Sequence, residues 1–109
     1  MPLRNLPIDA PASLAGLIDV HPHQVSSMSL SRSGDVSITL LAFAPGEGVS
    51  EEAYSGDTLY YLVEGRAQVL LPEGAVDIAV GEVLRVPAGV LHGIGNVGCG
   101  FKLLQVTVA

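Results

Sequence analysis

Hydrophobic and polar positions alternate with a period of two along most of the chain, a pattern typical of half-buried β-strands. In DVSITLLAF, residues 35–43, apolar Val36 and Ile38 alternate with polar Ser37 and Thr39. Segments with a similar pattern follow. We predict further strands at residues 58–63, 66–71, 75–80, 83–86 and 100–108.

Short sequences with glycine or proline separate these segments and supply the residues that tight turns need. Only residues 10–19 show a weak helical pattern. Many short strands, little helix and 13 glycines predict an all-β sandwich or small barrel. We expect a single domain over residues 1–109, with the barrel core at about 24–108 and an N-terminal extension at 1–23.

Alternation also predicts which side chains fill the space between two sheets. The residues predicted to face inward are Val36, Ile38, Leu40, Leu62, Val69, Leu71, Ile78, Leu84, Val86, Leu103 and Val106. Tyr54 and Tyr60 share one face, whereas Tyr61 points the other way. Gly65 and Gly89 are expected in turns where a Cβ atom would clash.

The composition narrows the choice of partners. Hydrophobic residues make up 49% of the chain and charged residues 15%, so we expect a homodimer that hides apolar surface. The net charge of −6 and the five scattered Lys and Arg residues argue against nucleic acid or an anionic membrane as partner. A single cysteine, Cys99, and an N-terminal sequence without a long apolar run predict a cytoplasmic protein.

One histidine lies in a specific pattern of glycines and prolines. Gly81, Pro87, Gly89, His92 and Asn96 have the spacing G-x5-P-x-G-x2-H-x3-N. This spacing resembles the second sequence motif of the cupin superfamily. The resemblance extends over roughly residues 36–108 and implies a jelly-roll barrel, a double-stranded antiparallel β-helix that is commonly dimeric. It implies no particular reaction.

The first cupin motif, G-x5-H-x-H-x3-E-x6-G, is present only as a frame. Gly46 and Gly65 have the correct separation, but the positions of the two histidines and the glutamate are occupied by Glu52, Tyr54 and Thr58. The resemblance therefore predicts the barrel fold, with different side chains at the positions of the two histidines and the glutamate.

The resemblance implies that His92 points into the barrel, where a cupin binds a divalent metal. One imidazole does not hold a metal alone, so a second ligand is needed. Glu52 is the best candidate, because a carboxylate oxygen can bind Zn, Mn, Ni or Fe. Thr58 is a poor ligand. The alternative is a polar pocket with no metal, in which His92 serves packing and hydrogen bonding.

The remaining histidines, His21 and His23, lie in the sequence HPH. They resemble an H-x-H ligand pair only superficially, because they precede the cupin frame and no glutamate follows at the right interval. One interpretation is an exposed turn set by Pro22. The other is that the N-terminal segment folds back and brings one of them to the site.

Three functions stay open at this stage. The first is a module that binds a small molecule, with or without a divalent metal, next to His92 and Glu52. The second is an enzyme, either metal-dependent or a metal-free sugar isomerase or epimerase with His92 as base and Tyr54 or Tyr60 as acid. The third is a non-catalytic structural or regulatory dimer. A cavity lined by these residues would favour the first two.

Overall fold

Two antiparallel sheets are built from residues 3–109, the part of the chain that the computed structural model describes. The strands are β1 (Val25–Arg32), β2 (Val36–Phe43), β3 (Val49–Glu52), β4 (Asp57–Glu64), β5 (Ala67–Leu71), β6 (Gly74–Ile78), β7 (Val83–Val86), β8 (His92–Asn96) and β9 (Phe101–Val108). The first sheet has the order β1-β2-β9-β4-β7 and the second the order β3-β8-β5-β6. This is the all-β jelly roll that the sequence predicted.

Helix is limited to one short element. The described residues contain a single 3-10 helix, Leu14–Leu17, within the segment that had a weak helical pattern. Among residues 3–109 no helix is long and apolar enough to cross a membrane.

The six predicted strands are confirmed, with ends that differ by at most two residues. Three further strands, β1, β3 and β8, were not among the predicted segments. The β1 sequence VSSMSLSR is rich in serine, and the β8 sequence HGIGN contains two glycines, so neither has the composition of a strand. They form because each has a partner: β1 pairs with β2, and β8 lies between β3 and β5.

The main core lies between the two sheets. Its buried members are Phe43, Tyr60, Leu62, Ala67, Val69, Ile78, Val86, Ile94, Phe101 and Leu103. Burial of these mostly apolar side chains is the main force that holds the sheets face to face.

A second apolar layer covers the outer face of the larger sheet. Leu40, Ala42 and Leu30 are buried there beneath Ile18 and other apolar residues of the N-terminal extension. The Lys102 ammonium, on the same outer face of β9, donates a 2.7 Å hydrogen bond to the Ala15 carbonyl oxygen. The extension therefore packs on its own barrel.

This second layer corrects part of the predicted core. Ile38 and Leu40 belong to the outer layer, not to the space between the sheets. Val36 shares their parity on β2, and Val106 has the opposite parity to the inward-facing Leu103 on β9. The prediction for these four residues was wrong because β2 and β9 carry apolar side chains on both faces, so alternation alone does not identify the inner face.

The two glycines expected in turns differ in what constrains them. Gly65 has a φ of +85°, and a Cβ atom there would clash with the Gly100 carbonyl oxygen. Gly89 has a φ of +80°, but a Cβ atom would meet nothing within 4 Å. The expected clash is therefore confirmed at Gly65 and wrong at Gly89, where the left-handed backbone is the constraint.

We expect Gly65→Ala to destabilise the protein more than Gly46→Ala. Gly46 has the same φ of +85° but open space around a new Cβ atom, so it is a matched control for the backbone strain. The steric contact at Gly65 should add roughly 1–3 kcal/mol to the loss in unfolding free energy. Urea unfolding of both variants measures this difference, and equal losses would contradict the proposed contact.

Candidate functional site

The antiparallel register divides the inner face of the larger sheet into rows of side chains, and the rows at one end of the barrel are apolar. Phe43 and Phe101 are opposite each other on β2 and β9, and their rings stack with centroids 4.3 Å apart. Leu41, Leu103 and Leu62 form the next row across β2, β9 and β4. This end is filled by packed hydrocarbon.

The rows at the other end of the barrel are polar. The two polar rows, each crossing β2, β9 and β4, are Thr39–Gln105–Tyr60 and Ser37–Thr107–Thr58. Ser29 extends the first row onto β1. In the second row, the Thr58 and Thr107 hydroxyl oxygens lie 3.2 Å apart and share a hydrogen bond. The two polar rows define the polar end of the barrel.

His92, on β8 of the opposite sheet, completes the polar end and is only 2% exposed. Its Nδ1 lies 2.9 Å from the Val90 carbonyl oxygen, and its Nε2 lies 2.7 Å from the Tyr60 hydroxyl. Because a carbonyl oxygen only accepts, Nδ1 carries the proton of the neutral ring. Nε2 therefore accepts a hydrogen bond from Tyr60, and both ring nitrogens have a partner.

Tyr54 and Glu52 lie beside this pair. Glu52 is opposite His92 in the β3–β8 ladder, after a register shift in β3. The Tyr54 hydroxyl donates a 2.6 Å hydrogen bond to Glu52 Oε1, and the Tyr54 ring meets the His92 ring edge-on with centroids 5.6 Å apart. Tyr54 is half-buried and Glu52 is exposed, so the Tyr54 ring helps to shield His92 from solvent.

Both tyrosines keep their protons at neutral pH. Burial raises the pKa of Tyr60, and repulsion from the negative charge that Tyr54 carries when ionised and from the Glu52 carboxylate raises it further. Burial also raises the pKa of Tyr54, as does its hydrogen bond to Glu52, while a hydrogen bond from Gln105 acts in the opposite direction. Each phenol is therefore available as a hydrogen-bond donor to the partner that it contacts.

The structure brings together four of the residues singled out from the sequence: Glu52, Tyr54, Tyr60 and His92. His21 and His23 are exposed and precede β1. The first residue of β1, Val25, pairs with Phe43, so the HPH sequence lies at the apolar end, away from His92.

Several polar residues of this end were not singled out from the sequence. They are Ser29, Thr39, Gln105 and Arg32, which pairs with Ser37 at the exposed end of β1. A glutamine in the middle of the apolar strand FKLLQVTV was the available signal, because a polar residue with inward parity marks a polar part of the core.

The residues present do not fit a resident divalent metal. Among residues 3–109, no group of three or more His, Cys, Asp or Glu side chains converges on one point. Metal sites in proteins usually need three or four donors, and here the lone pair of His92 Nε2 is engaged by Tyr60. Glu52 Oε1 is engaged by Tyr54, and Thr58 by Thr107.

Two surface depressions lie near the edge formed by β4, β7 and β9. The larger, of about 310 Å³, is lined by Ser55, Gly56, Asp57, Ala88, Val108 and Ala109. The smaller, of about 250 Å³, is lined by Asp57, Thr58, Leu59, Arg85, Val106 and Val108. Neither includes His92.

Asp57 fixes the turn that leads to His92. Its carboxylate accepts a 2.9 Å hydrogen bond from the Ala88 backbone N–H and hydrogen bonds of 3.1 and 2.7 Å from the Arg85 guanidinium. The Gly89 N–H donates to the Tyr54 carbonyl oxygen at 2.8 Å. The turn that carries the proline and glycine of the second motif is therefore held from two sides.

No family model matches the chain. It is 31% identical over 75 residues to the uncharacterized protein SCO3923 of Streptomyces coelicolor, which covers 69% of this chain and 71% of that protein. The structure is similar to that of a cupin superfamily protein, DSY2733 of Desulfitobacterium hafniense. The two share 44% identity over 99% of this chain and 98% of that one, with a TM-score of 0.95. The chain belongs to the cupin superfamily.

A second solved structure has the same fold at lower identity. The conserved protein SPY1581 of Streptococcus pyogenes, of unknown function, is 22% identical over 99% of this chain and 94% of that one, with a TM-score of 0.93. These relatives establish the cupin barrel and identify no activity. The function has to be inferred from this cupin's own polar end.

We expect Asp57→Asn to lower stability at neutral pH. The Ala88 N–H and the Arg85 guanidinium hold the pKa of Asp57 below its usual value of 3.8, because both favour the charged form. The stabilisation is therefore fully present above that value and is lost as the pH falls through the lower, folded-state pKa. The difference between wild type and variant should shrink below pH 3.8.

Urea midpoints measured over a series of pH values test this expectation. Asp77→Asn is the control, since Asp77 is an exposed carboxylate on β6 that accepts a hydrogen bond from Gln68 and does not touch the turn. A constant difference for Asp57→Asn across the acid range would show that its charge does not stabilise the turn.

Proposed function

We propose that this cupin binds a small polar molecule at the polar end of its barrel, against His92 and Tyr60, without requiring a resident metal. The observation that carries the proposal is the buried Tyr60–His92 hydrogen bond within two rows of polar side chains. Polar groups in a core cost stability relative to well-packed apolar ones, so a barrel with only a structural role would be more stable without them.

Entry to this site depends on Tyr54. His92 and Tyr60 are each 2% exposed, so a ligand reaches them only when a neighbouring side chain moves, and the half-buried Tyr54 ring, edge-on to His92, is the side chain that moves aside in this proposal. The Tyr54 hydroxyl is held by Glu52, whose carboxylate is exposed and can exchange this hydrogen bond for one from water. Opening therefore costs little in hydrogen bonding.

Binding has better support than proton-transfer catalysis. A metal-free isomerase needs its base and acid on opposite sides of the substrate, whereas Tyr60 Oη and His92 Nε2 are 2.7 Å apart with no space between them. The Tyr54 hydroxyl is hydrogen-bonded to Glu52 and not to His92, so a substrate could lie between Tyr54 and His92. A catalytic role for His92 and Tyr54 is thus a second candidate.

Histidine-labelled NMR tests the proposal with a matched pair of variants. We expect small polar compounds that bind the wild type to shift the His92 ring resonances, and Tyr60→Phe to change their affinity about fivefold to tenfold, the effect of one hydrogen bond. Tyr61→Phe is the control, because Tyr61 is on the same strand with the opposite parity.

Two results would contradict the proposal. One is a compound set that binds the protein without disturbing the His92 ring or responding to Tyr60→Phe. The other is stoichiometric metal in protein purified without chelator, lost in His92→Ala, since this would make the imidazole a metal ligand.

We also propose that a second copy of the chain covers an apolar strip on the outer face of the larger sheet. The apolar strip is formed by Leu59, Val83, Val106 and Val108, and the first two are 37% and 57% exposed. Arg85 and Asp57 beside it pair with each other, so the strip has no net charge on a chain of −6. Two such chains repel least where this neutral surface meets its copy.

Sedimentation equilibrium tests the dimer. We expect Leu59→Arg to shift the wild-type dimer to monomer, because it places a charge in the middle of the apolar strip. Leu91→Arg is the control, since Leu91 is 50% exposed but lies before β8 on the other sheet. A monomeric wild type, or equal effects of the two substitutions, would contradict the proposed interface.

A further inference from the structure

We infer that the molecule bound at the polar end presents hydrogen-bond donors, as an amine or a hydroxyl group does, and not a carboxylate or a phosphate. The inference rests on the proposed binding function and adds the chemical class of the ligand. It follows from counting the protons that the site has left to offer.

The protons of the Tyr60–His92 pair are already used in hydrogen bonds. His92 Nδ1–H donates a hydrogen bond to the Val90 carbonyl oxygen, and the Tyr60 hydroxyl donates one to His92 Nε2. A phenol has one proton and an oxygen that also accepts. Towards a ligand, the Tyr60–His92 pair therefore presents only the lone pairs of the Tyr60 oxygen.

Movement of Tyr54 adds a further acceptor. The Tyr54 hydroxyl proton goes to Glu52 Oε1 in the closed arrangement. When Tyr54 moves aside, the Glu52 carboxylate loses that donor, and an ionised carboxylate only accepts. A ligand donor then fits between the Glu52 carboxylate and the Tyr60 oxygen, and a cationic amine gains the attraction of the carboxylate charge.

Lys102, Arg85 and Arg32 do not counter this bias. Lys102 and Arg85 lie on the outer face, where Lys102 contacts the Ala15 carbonyl oxygen and Arg85 the Asp57 carboxylate. Arg32 is the described cation whose strand register faces the barrel, but it is exposed at the end of β1, one row beyond Gln105. An anion against the Tyr60–His92 pair would meet the Glu52 carboxylate and the lone pairs of the Tyr60 oxygen.

The Gln105 amide widens the class of ligands that fit and does not reverse the preference for hydrogen-bond donors. Its amide has both N–H donors and an oxygen acceptor, and it lies opposite Tyr60 in the first polar row. A hydroxyl group, which both donates and accepts, can bridge from Tyr60 to Gln105. We therefore include polyols and amino alcohols in the ligand class.

Three probes with the same carbon skeleton test the inference: 1-aminopropan-2-ol, propane-1,2-diol and lactate. Each is titrated into wild-type protein while the His92 ring resonances are followed by NMR. We expect the amino alcohol and the diol to shift these resonances. We expect lactate to bind at least about tenfold more weakly, because its carboxylate would face the Glu52 carboxylate and the Tyr60 oxygen, which only accept hydrogen bonds.

Glu52→Gln and Glu51→Gln form the matched pair of variants. Both remove one negative charge, but Glu51 is exposed and lies over Gly93 on the outer face, whereas Glu52 is opposite His92. We expect Glu52→Gln to lower the affinity for the amino alcohol about tenfold and to reduce the difference between its affinity and that for lactate. Glu51→Gln should leave both unchanged.

The outcomes separate the inference from the proposed function. One result would overturn the inference and support the binding site. In this result lactate binds more tightly than the amino alcohol, shifts the His92 ring resonances and no longer binds the Arg32→Gln variant. If none of the three probes shifts His92, the proposed function itself fails, since probes of all three charge types would have missed the site.

Discussion

The register of β9 with its two neighbours is the constraint on which the rest of the structure depends. Because Gln105 is opposite both Thr39 and Tyr60, one row of polar side chains crosses three strands at a single level. A slip of one residue would exchange every inward and outward side chain of β9 and place Lys102 in the core. The same register sets Tyr60 at the level of His92 on the opposite sheet.

At that level, a frame shared with other cupins holds different chemistry. The second motif keeps the turn and the histidine, and Asp57 and Tyr54 support the turn from outside the motif. The neighbours of the imidazole are phenols and a carboxylate bound to one of them, in place of further imidazoles. The barrel therefore holds a histidine whose two ring nitrogens are both engaged in hydrogen bonds.

Much of the fold could be predicted from the sequence, because period-two alternation and turn residues act locally. The strands with apolar side chains were found, while β1 and β8 were missed because their serines and glycines are tolerated only through their partner strands. The inner face of β2 was misidentified, since the N-terminal extension that covers Leu40 is distant in sequence.

The candidate site was predictable to a different extent. The motif spacing identified His92 and aligned Glu52 and Tyr54 with it. The pairing of Tyr60 with His92 depends on how two sheets face each other, and no local pattern encodes that distance. Gly89 shows the same limit on a smaller scale: its position in a turn was correct, but the reason is backbone conformation and not crowding.

The stacked Phe43 and Phe101 rings have a consequence for traffic through the barrel. They fill the apolar end with packed hydrocarbon, so this end of the barrel offers no passage to the interior. The barrel is therefore closed at one end, with the shape of a cup and not of a channel.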